Sequence, residues 1–493
     1  MSERAFAVRR MTKLALLASA TLIFCGEQAM AQTAPAAEFA EADGGTINLA
    51  VTPPSSSHNI PDVQKKVLAQ TPPQPDALAP NMFGARPWLA AHGIVMTLDE
   101  TNEFATTLKG YRKGTTNAGQ YSWWTTIDWG KLAGLTGFST HTIIVGRYGS
   151  NSSHLTGDAV SSSQEIYGSG GNVVAHLVEA YGEQSLFNGK LDLLVGIEPM
   201  LWDFASSYLQ CENFMNDALC GNPTIGYENG PYSVFPDWSY AARVQIAPTK
   251  TTYIKFGVFY TQSNIYQVQN GFRSGFNFEI NKAKRPTFPF EIGWTPQFGD
   301  DGMGGVYKAG IIFDENTHPD DYYDNNGNPW VLSGLPPRMV KSAPSEYVMV
   351  NQMVKRNGPG DMDGLILFAS YWHDAATWYT VGAVDRGFWK ERPMDSASIG
   401  FVYATMPSYL TKTEMLQRQL GGPVTGDYYR LQFNGNAPSG VQTSWPMLEL
   451  QYQFHVTRGI TFEPDFQYYF RPNAQANLPG AAFLGFRSYI RFF

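Results

Sequence analysis

The chain has 493 residues, of which 43% are hydrophobic, 14% aromatic and only 16% charged, with 48 glycines and a formal charge of −8. The acidic balance does not suit a nucleic-acid binder, which carries a basic face. Mean hydropathy is negative and no apolar run reaches the length of a transmembrane helix, so hydrophobic surface has to be written as alternation, as in a membrane β-barrel.

Residues 1–31 read as a secretory signal. Arg4, Arg9, Arg10 and Lys13 form a basic start, Leu14 to Cys25 an uncharged apolar run, and Ala29-Met30-Ala31 a cleavage site. Bulky Phe24 before Cys25 argues against a lipid anchor. Loss of this segment removes four basic and two acidic side chains, which moves the charge from −8 to −10. The remaining cysteines, Cys211 and Cys220, then lie in an oxidising compartment, where a short disulfide-closed loop is expected and two buried thiols are the alternative. Residues 32–80 are proline-rich and read as a disordered periplasmic linker, with a short helical stretch around Asp62 to Gln70 as the one exception.

From residue 81 to 493 the chain reads as one domain, and from about Gly93 onward the period is two. Tyr121, Trp123, Ile127 and Trp129 alternate with Ser122, Thr126 and Asp128. Leu191 to Ile197 alternate with Asp192 and end on Glu198; Tyr240 to Ile246 enclose Arg243; Ile254 to Tyr260 enclose Lys255; Tyr307 to Phe313 enclose Lys308. Ile399 to Tyr403 and Tyr429 to Phe433 continue the pattern. The clearest pair comes last. Leu448, Leu450, Tyr452, Phe454 and Val456 oppose Glu449, Gln451, Gln453 and His455. After a turn at Thr457-Arg458-Gly459, Phe462, Pro464, Phe466 and Tyr468 oppose Glu463, Asp465 and Gln467.

An apolar face meets lipid and a polar face lines the lumen. Arg or Lys on the lipid side costs about 2–4 kcal/mol at the midplane, so a mid-strand charge assigns the face. About seventeen segments qualify, and bacterial barrels use an even number, so the expectation is an all-β transmembrane antiparallel barrel of about sixteen strands. Long stretches at 199–237 and 314–344 read as extracellular loops, and tight turns as periplasmic ones. The final strand runs Phe486, Ser488, Ile490, Phe492 against Arg487, Tyr489 and Arg491, which leaves Phe493 as a one-residue overhang.

No G-x-S-x-G, H-E-x-x-H or phosphate loop occurs, and the eight histidines are scattered. Asp324 to Asn328 resembles part of a calcium loop, but Tyr322 and Ser333 stand where ligands belong, so a solvated turn is the better reading. No cofactor or metal is implied. Trp202-Asp203-Phe204 is the kind of mixture that stacks on a sugar ring while bonding its hydroxyls, although a girdle position explains such aromatics too.

Several segments in order resemble the carbohydrate-selective porins of the OprB family. They are Phe83 to Ile94 (a G-x-R-x-x-L-x-x-x-G-I opening), Glu103, Glu179-Ala180-Tyr181-Gly182-Glu183-Gln184, the cysteine-bearing stretch from Phe204 to Gly221, Arg243, Glu449, Glu463 to Tyr468, and Gly485-Phe486-Arg487. Residues 314–344 and 406–426 match no family pattern. The resemblance implies passive diffusion of monosaccharides, polyols or sugar acids across the outer membrane. Loops would fold inward, and opposed acidic and basic residues at the narrowing would bond the solute. The channel-lining candidates are Glu103, Glu179, Glu198, Trp202, Arg243, Glu449, Asp465, Gln467 and Arg487. The expected partners are small sugars and outer-membrane lipid, with a homo-oligomer allowed and no nucleic acid. The alternatives are a carboxylate-selective pore governed by Arg243, Arg487 and Arg491, a barrel enzyme with a nucleophile–base pair at the rim, and an adhesin.

Overall fold

A computed structural model describes residues 36–39, 49–52 and 77–493, except 151, 159, 168–171, 220–231, 264, 266, 270–271, 422–423 and 425–439. The signal segment, most of residues 32–80, Cys220 and the segment Tyr429 to Phe433 lie outside the described residues. Within 32–80 the described residues are a short antiparallel pair, Ala36–Phe39 with Leu49–Thr52, and residues 77–80, where Leu78 N–H donates to the Arg491 carbonyl at 2.9 Å.

Sixteen strands form the ring: β1 (Ile94–Lys109), β2 (Gly114–Asp128), β3 (Phe138–Gly149), β4 (Val173–Leu186), β5 (Leu191–Glu198), β6 (Ser239–Thr249), β7 (Thr252–Thr261), β8 (Thr287–Trp294), β9 (Met303–Asp314), β10 (Ser345–Arg356), β11 (Gly364–His373), β12 (Thr377–Arg386), β13 (Ser396–Thr405), β14 (Ser444–Thr457), β15 (Ile460–Tyr469) and β16 (Ala481–Arg491). Each pairs antiparallel with its neighbours, and β16 returns to β1 with Arg487 opposite Glu103. The ring has no free edge, which is what the bilayer demands of a spanning sheet. Because β13 pairs directly with β14, the ring closes without the Tyr429 to Phe433 segment.

Alternation places the side chains as expected. Val244, Ile246, Ile254, Phe256, Leu450 and Phe462 stay exposed on the outer face, while Arg243, Lys255, Glu449, Glu463 and Arg487 are buried inside. The turn between β14 and β15 holds Gly459 at φ +73°, and a Cβ there would meet the Ala77 backbone at 2.6 Å. The turns at 187–190, 250–251 and 458–459 share one end with the residues before β1. The long connections 150–172, 199–238, 262–286, 315–344 and 406–443 occupy the other, which makes it the outer end.

Two expectations change. Trp129 does not continue β2: Asp128 caps a short helix, Trp129–Ala133, by accepting from the Gly130 and Lys131 N–H groups. Phe493 does not overhang. Its carbonyl accepts from Leu98 N–H at 3.2 Å, and its ring packs edge-on against Trp123. Two residues, Phe492 and Phe493, thus face one on β1, the pattern of a β-bulge.

The inner wall is not uniformly polar. Tyr347, Met349 and Met353 on β10, Ile366, Phe368 and Trp372 on β11, Trp378 and Val384 on β12 and Val402 on β13 are all buried inside. Their strands carry apolar residues on the outer face as well, such as Val348, Leu367, Val381 and Ile399.

Candidate functional site

The connection leaving β5 at Glu198 turns into the barrel and crosses it. Met200, Leu201, Trp202, Asp203 and Phe204 are all buried, with a short helix over Met200–Asp203 and a second over Tyr208–Asn213. Between them Ala205 sits at φ +54°, uncommon for a residue with a Cβ, and its N–H donates to Glu291 Oε2 at 3.0 Å. A wall carboxylate thus holds the bend that sends the loop inward.

On one side, basic residues of β6, β7 and β9 grip the loop. Arg243 donates to Asp203 (2.9 Å), Asp192 (2.7 Å) and Glu183 (2.8 Å). Lys255 Nζ donates to the Asp203 carbonyl at 2.7 Å and its carboxylate at 2.8 Å, and Lys308 Nζ to the Ser206 carbonyl at 2.6 Å. Burial pushes the Asp203 carboxyl upward, but Lys255 and Arg243 beside it prevail and hold it below the usual carboxylate range.

The far side is gripped by β13 to β16. Arg487 donates to Glu463 at 2.6 Å and to the loop carbonyls of Phe214 (2.9 Å), Cys211 (3.2 Å) and Glu212 (2.6 Å). Glu449 accepts from the Met215 N–H at 2.6 Å and the Asn216 N–H at 3.1 Å. The Asn216 amide donates to Gln467 at 3.0 Å and the Tyr469 hydroxyl at 2.7 Å. Cys211 is disulfide-bonded, and its expected partner Cys220 lies outside the described residues.

Apolar contact completes the seat. Phe214 meets Phe368 edge-on at 5.5 Å, and Phe204 meets Phe259 at 5.7 Å. At Gly400 on β13, a Cβ would come within 2.8 Å of Leu219 and 3.0 Å of Phe214, so the close approach of the loop requires glycine there.

A second inward loop, 150–172, stacks on the first. Asp217 N–H donates to Ser162 O at 3.0 Å, and Ser161 Oγ to Asn216 at 2.9 Å. Ile166 N–H donates to Glu103 Oε2 at 3.2 Å, and Trp445 donates to Asp158.

The channel-lining candidates from the sequence therefore fall into two groups. Glu103, Glu449, Asp465, Gln467 and Arg487 sit together on β1, β14, β15 and β16; Glu179, Glu198, Trp202 and Arg243 gather around β4 to β6 and the loop's first turn. Arg243, Glu449, Gln467 and Arg487 are bonded to the crossing loop or to the carboxylates around it. Trp202 stacks with Trp124 at 6.3 Å and Phe235 at 5.0 Å. Glu179 and Glu198 differ from the rest. They are fully buried, and all four of their carboxylate oxygens lack a hydrogen-bond partner among the described residues, as does the nearby Tyr181 hydroxyl.

Reading the sequence alone passed over Lys255, Glu291 and Lys308 as parts of the site, and took Asp203 only as part of a sugar-stacking mixture with Trp202 and Phe204, not as the group that Arg243 and Lys255 hold. Lys255 and Lys308 carried the signal that found Arg243, a cation in mid-strand on the inner face.

The family model described as "Carbohydrate-selective porin, OprB family" matches residues 112–492. Porin B of Pseudomonas aeruginosa is 26% identical over 418 residues, covering 82% of this chain and 88% of that protein. The putative porin QuiX of Acinetobacter baylyi is 26% identical over 408 residues, covering 79% and 87%. Among solved structures, the high-pH structure of Pseudomonas putida OprB superposes with a TM-score of 0.76 at 27% identity, covering 85% of this chain and 99% of that one.

Proposed function

Since the chain belongs to the OprB family of carbohydrate-selective porins, outer-membrane channels and not enzymes, we propose that it passes neutral, hydroxyl-rich solutes of monosaccharide size past the crossing loop by diffusion. One observation carries the choice over a carboxylate-selective pore: the cations that an anion would need are already engaged. Arg243 is held by three carboxylates, and Arg487 by one carboxylate and three loop carbonyls. Arg491 donates to Tyr489 and lies beside Asp99.

What stays uncommitted is the opposite kind of group. An ionised carboxylate only accepts hydrogen bonds, and a sugar supplies a ring of O–H donors. Among the described buried residues, eighteen carboxylates stand against six Arg or Lys side chains. A carboxylate solute would need a free cation there, whereas a neutral polyol needs only acceptors and donors. Glu103, Glu449, Gln467 and Arg487 are proposed as positioning residues that hold the loops, and Glu179 and Glu198 as uncommitted acceptors buried beside the loop's first turn.

The test is conductance of the purified protein in planar bilayers, with liposome swelling beside it. Glucose should reduce the current and swell liposomes faster than glucuronate of similar size. Faster passage of glucuronate would overturn the choice of solute, and absence of channels would overturn the pore.

A further inference from the structure

We infer that the outward face of β1 to β3 is an interface within the membrane, and that its partner is a second copy of this chain. Two parts of the barrel's outer surface are built differently. On β7 and β8 the central outward residues are Ile254, Phe256, Val258, Phe288, Phe290 and Ile292, bulky and apolar as lipid requires. On β2 and β3 the outward residues include Asn117, Gly119, Tyr121, Thr142, Gly146 and Tyr148. Their sequence neighbours Ala118, Gln120, Ser122, His141, Ile143 and Arg147 are buried inside, which fixes the orientation. On β1, Glu103 reaches Ile166 of an inward loop, so the alternate positions Glu100 and Asn102 point outward.

Glu100 and Asn102 lie across from Tyr121 and Gly119, in the middle of β2. The Tyr148 ring lies flat over Gly119, where a Cβ would come within 2.2 Å of it. Its hydroxyl donates to Glu100 at 3.0 Å and accepts from the Asn102 amide at 3.4 Å. Tyr121 lies the same way over Gly146, where a Cβ would come within 2.0 Å. Rings laid flat on glycines leave a level face in place of the knobs on β7 and β8, and the stacked Phe104, Phe486 and Phe462 border it toward β16. A carboxylate one aromatic layer from acyl chains is costly, and so are amide and hydroxyl groups turned toward them. A protein surface with matching groups removes that cost, and small residues let embedded surfaces come close, as they do between membrane helices. The face is its own complement. The Asn117 amide and the hydroxyls of Thr142 and Tyr148 can each donate and accept. A copy turned about the membrane normal presents the same groups in return, and closed symmetry of this kind is how most homo-oligomers form.

The experiment uses the full chain in intact outer membranes, with a bis-maleimide and one added cysteine, since Cys211 is already disulfide-bonded. Thr142→Cys should link into products at whole multiples of the chain mass. The yield should be several-fold above that of Val244→Cys, which lies on the bulky face at β6. Adding Asn117→Leu should cut the Thr142→Cys linking several-fold and lower the temperature at which the folded gel band is lost. Against lipid the same leucine adds apolar surface, so unchanged linking with an equal or higher temperature would overturn the inference. No linking at Thr142→Cys, equal linking at both positions, or products that contain an unlike protein would overturn it too. Heat-modifiability on a gel shows that each variant is folded when its linking is read.

Discussion

Besides the basic residues of β6, β7 and β9, two inner walls seat the crossing loop, and they hold it by different physics. The wall of β14 to β16 supplies directed bonds, with Arg487 and Glu449 meeting backbone carbonyls and N–H groups of residues 211–216. The wall of β10 to β13 supplies surface, with Phe368 and Gly400 against Phe214 and Leu219. Directed bonds fix which loop atom stands where, because a backbone carbonyl accepts only along its lone pairs. Apolar contact is non-directional and roughly proportional to area, so it fixes how near the loop comes but not its register. A narrow passage needs both, since the loop's position sets its width.

The largest break in the loop's seat should come from the basic wall of β6, β7 and β9. Arg243→Ala leaves Glu183, Asp192 and Asp203 buried without their guanidinium, a loss of about 3–5 kcal/mol. We expect wider single-channel conductance, weaker discrimination among sugars and a lower temperature of heat-modification. Unchanged values of all three would mean that Lys255 alone holds Asp203. Removing an apolar contact should act nearly as strongly. Phe214→Ala costs about 3 kcal/mol of packing and should raise conductance while keeping the order of sugar preference, because the directed bonds still set the register. A reversed sugar order would refute the division of labour between the walls.

Gly400→Leu sharpens the comparison by adding bulk where the loop lies closest. Overpacking of this kind costs about 1–3 kcal/mol, and the loop should be pushed across the lumen, giving lower conductance, the opposite sign to Phe214→Ala. Increased conductance would show the loop leaving its seat instead of shifting. The smallest effect concerns pH. Burial raises the Asp158 carboxyl to about 7, against the pull of its bond from Trp445. The docked loop therefore favours the protonated acid, and the undocked loop the ionised one. Docking of loop 150–172 is strongest well below pH 7 and weakens as pH rises from the ordinary carboxylate range toward 7, on the order of 1 kcal/mol per unit. Current fluctuations should grow between about pH 4 and 7, and Asp158→Asn should flatten the profile. A flat wild-type profile would remove Asp158 from the account.

The two walls also explain what could be read in advance. Strands β14 and β15 announced themselves, because Glu449, Glu463, Asp465 and Gln467 alternate with residues that meet lipid. Strands β10 to β12 did not, because Met349, Ile366, Phe368 and Val384 face inward while Val348, Leu367 and Val381 face lipid. With both faces apolar, a period of two leaves no trace. The inward face there is apolar because it seats a loop from a distant part of the chain.

The sequence by itself determined a closed antiparallel barrel and the inner face of each charged strand, since a cation in mid-strand has one affordable direction. Through the ordered segments from Phe83 to Arg487 it also pointed to the family. Only the tertiary structure decided what those charges do. Arg243, Glu449 and Arg487 are spent on a loop that reaches them across the lumen, with partners such as Phe214 and Asn216 more than 200 positions from Arg487 and Glu449. Pairings over that distance are set by how the ring closes, and no local pattern of residues encodes them.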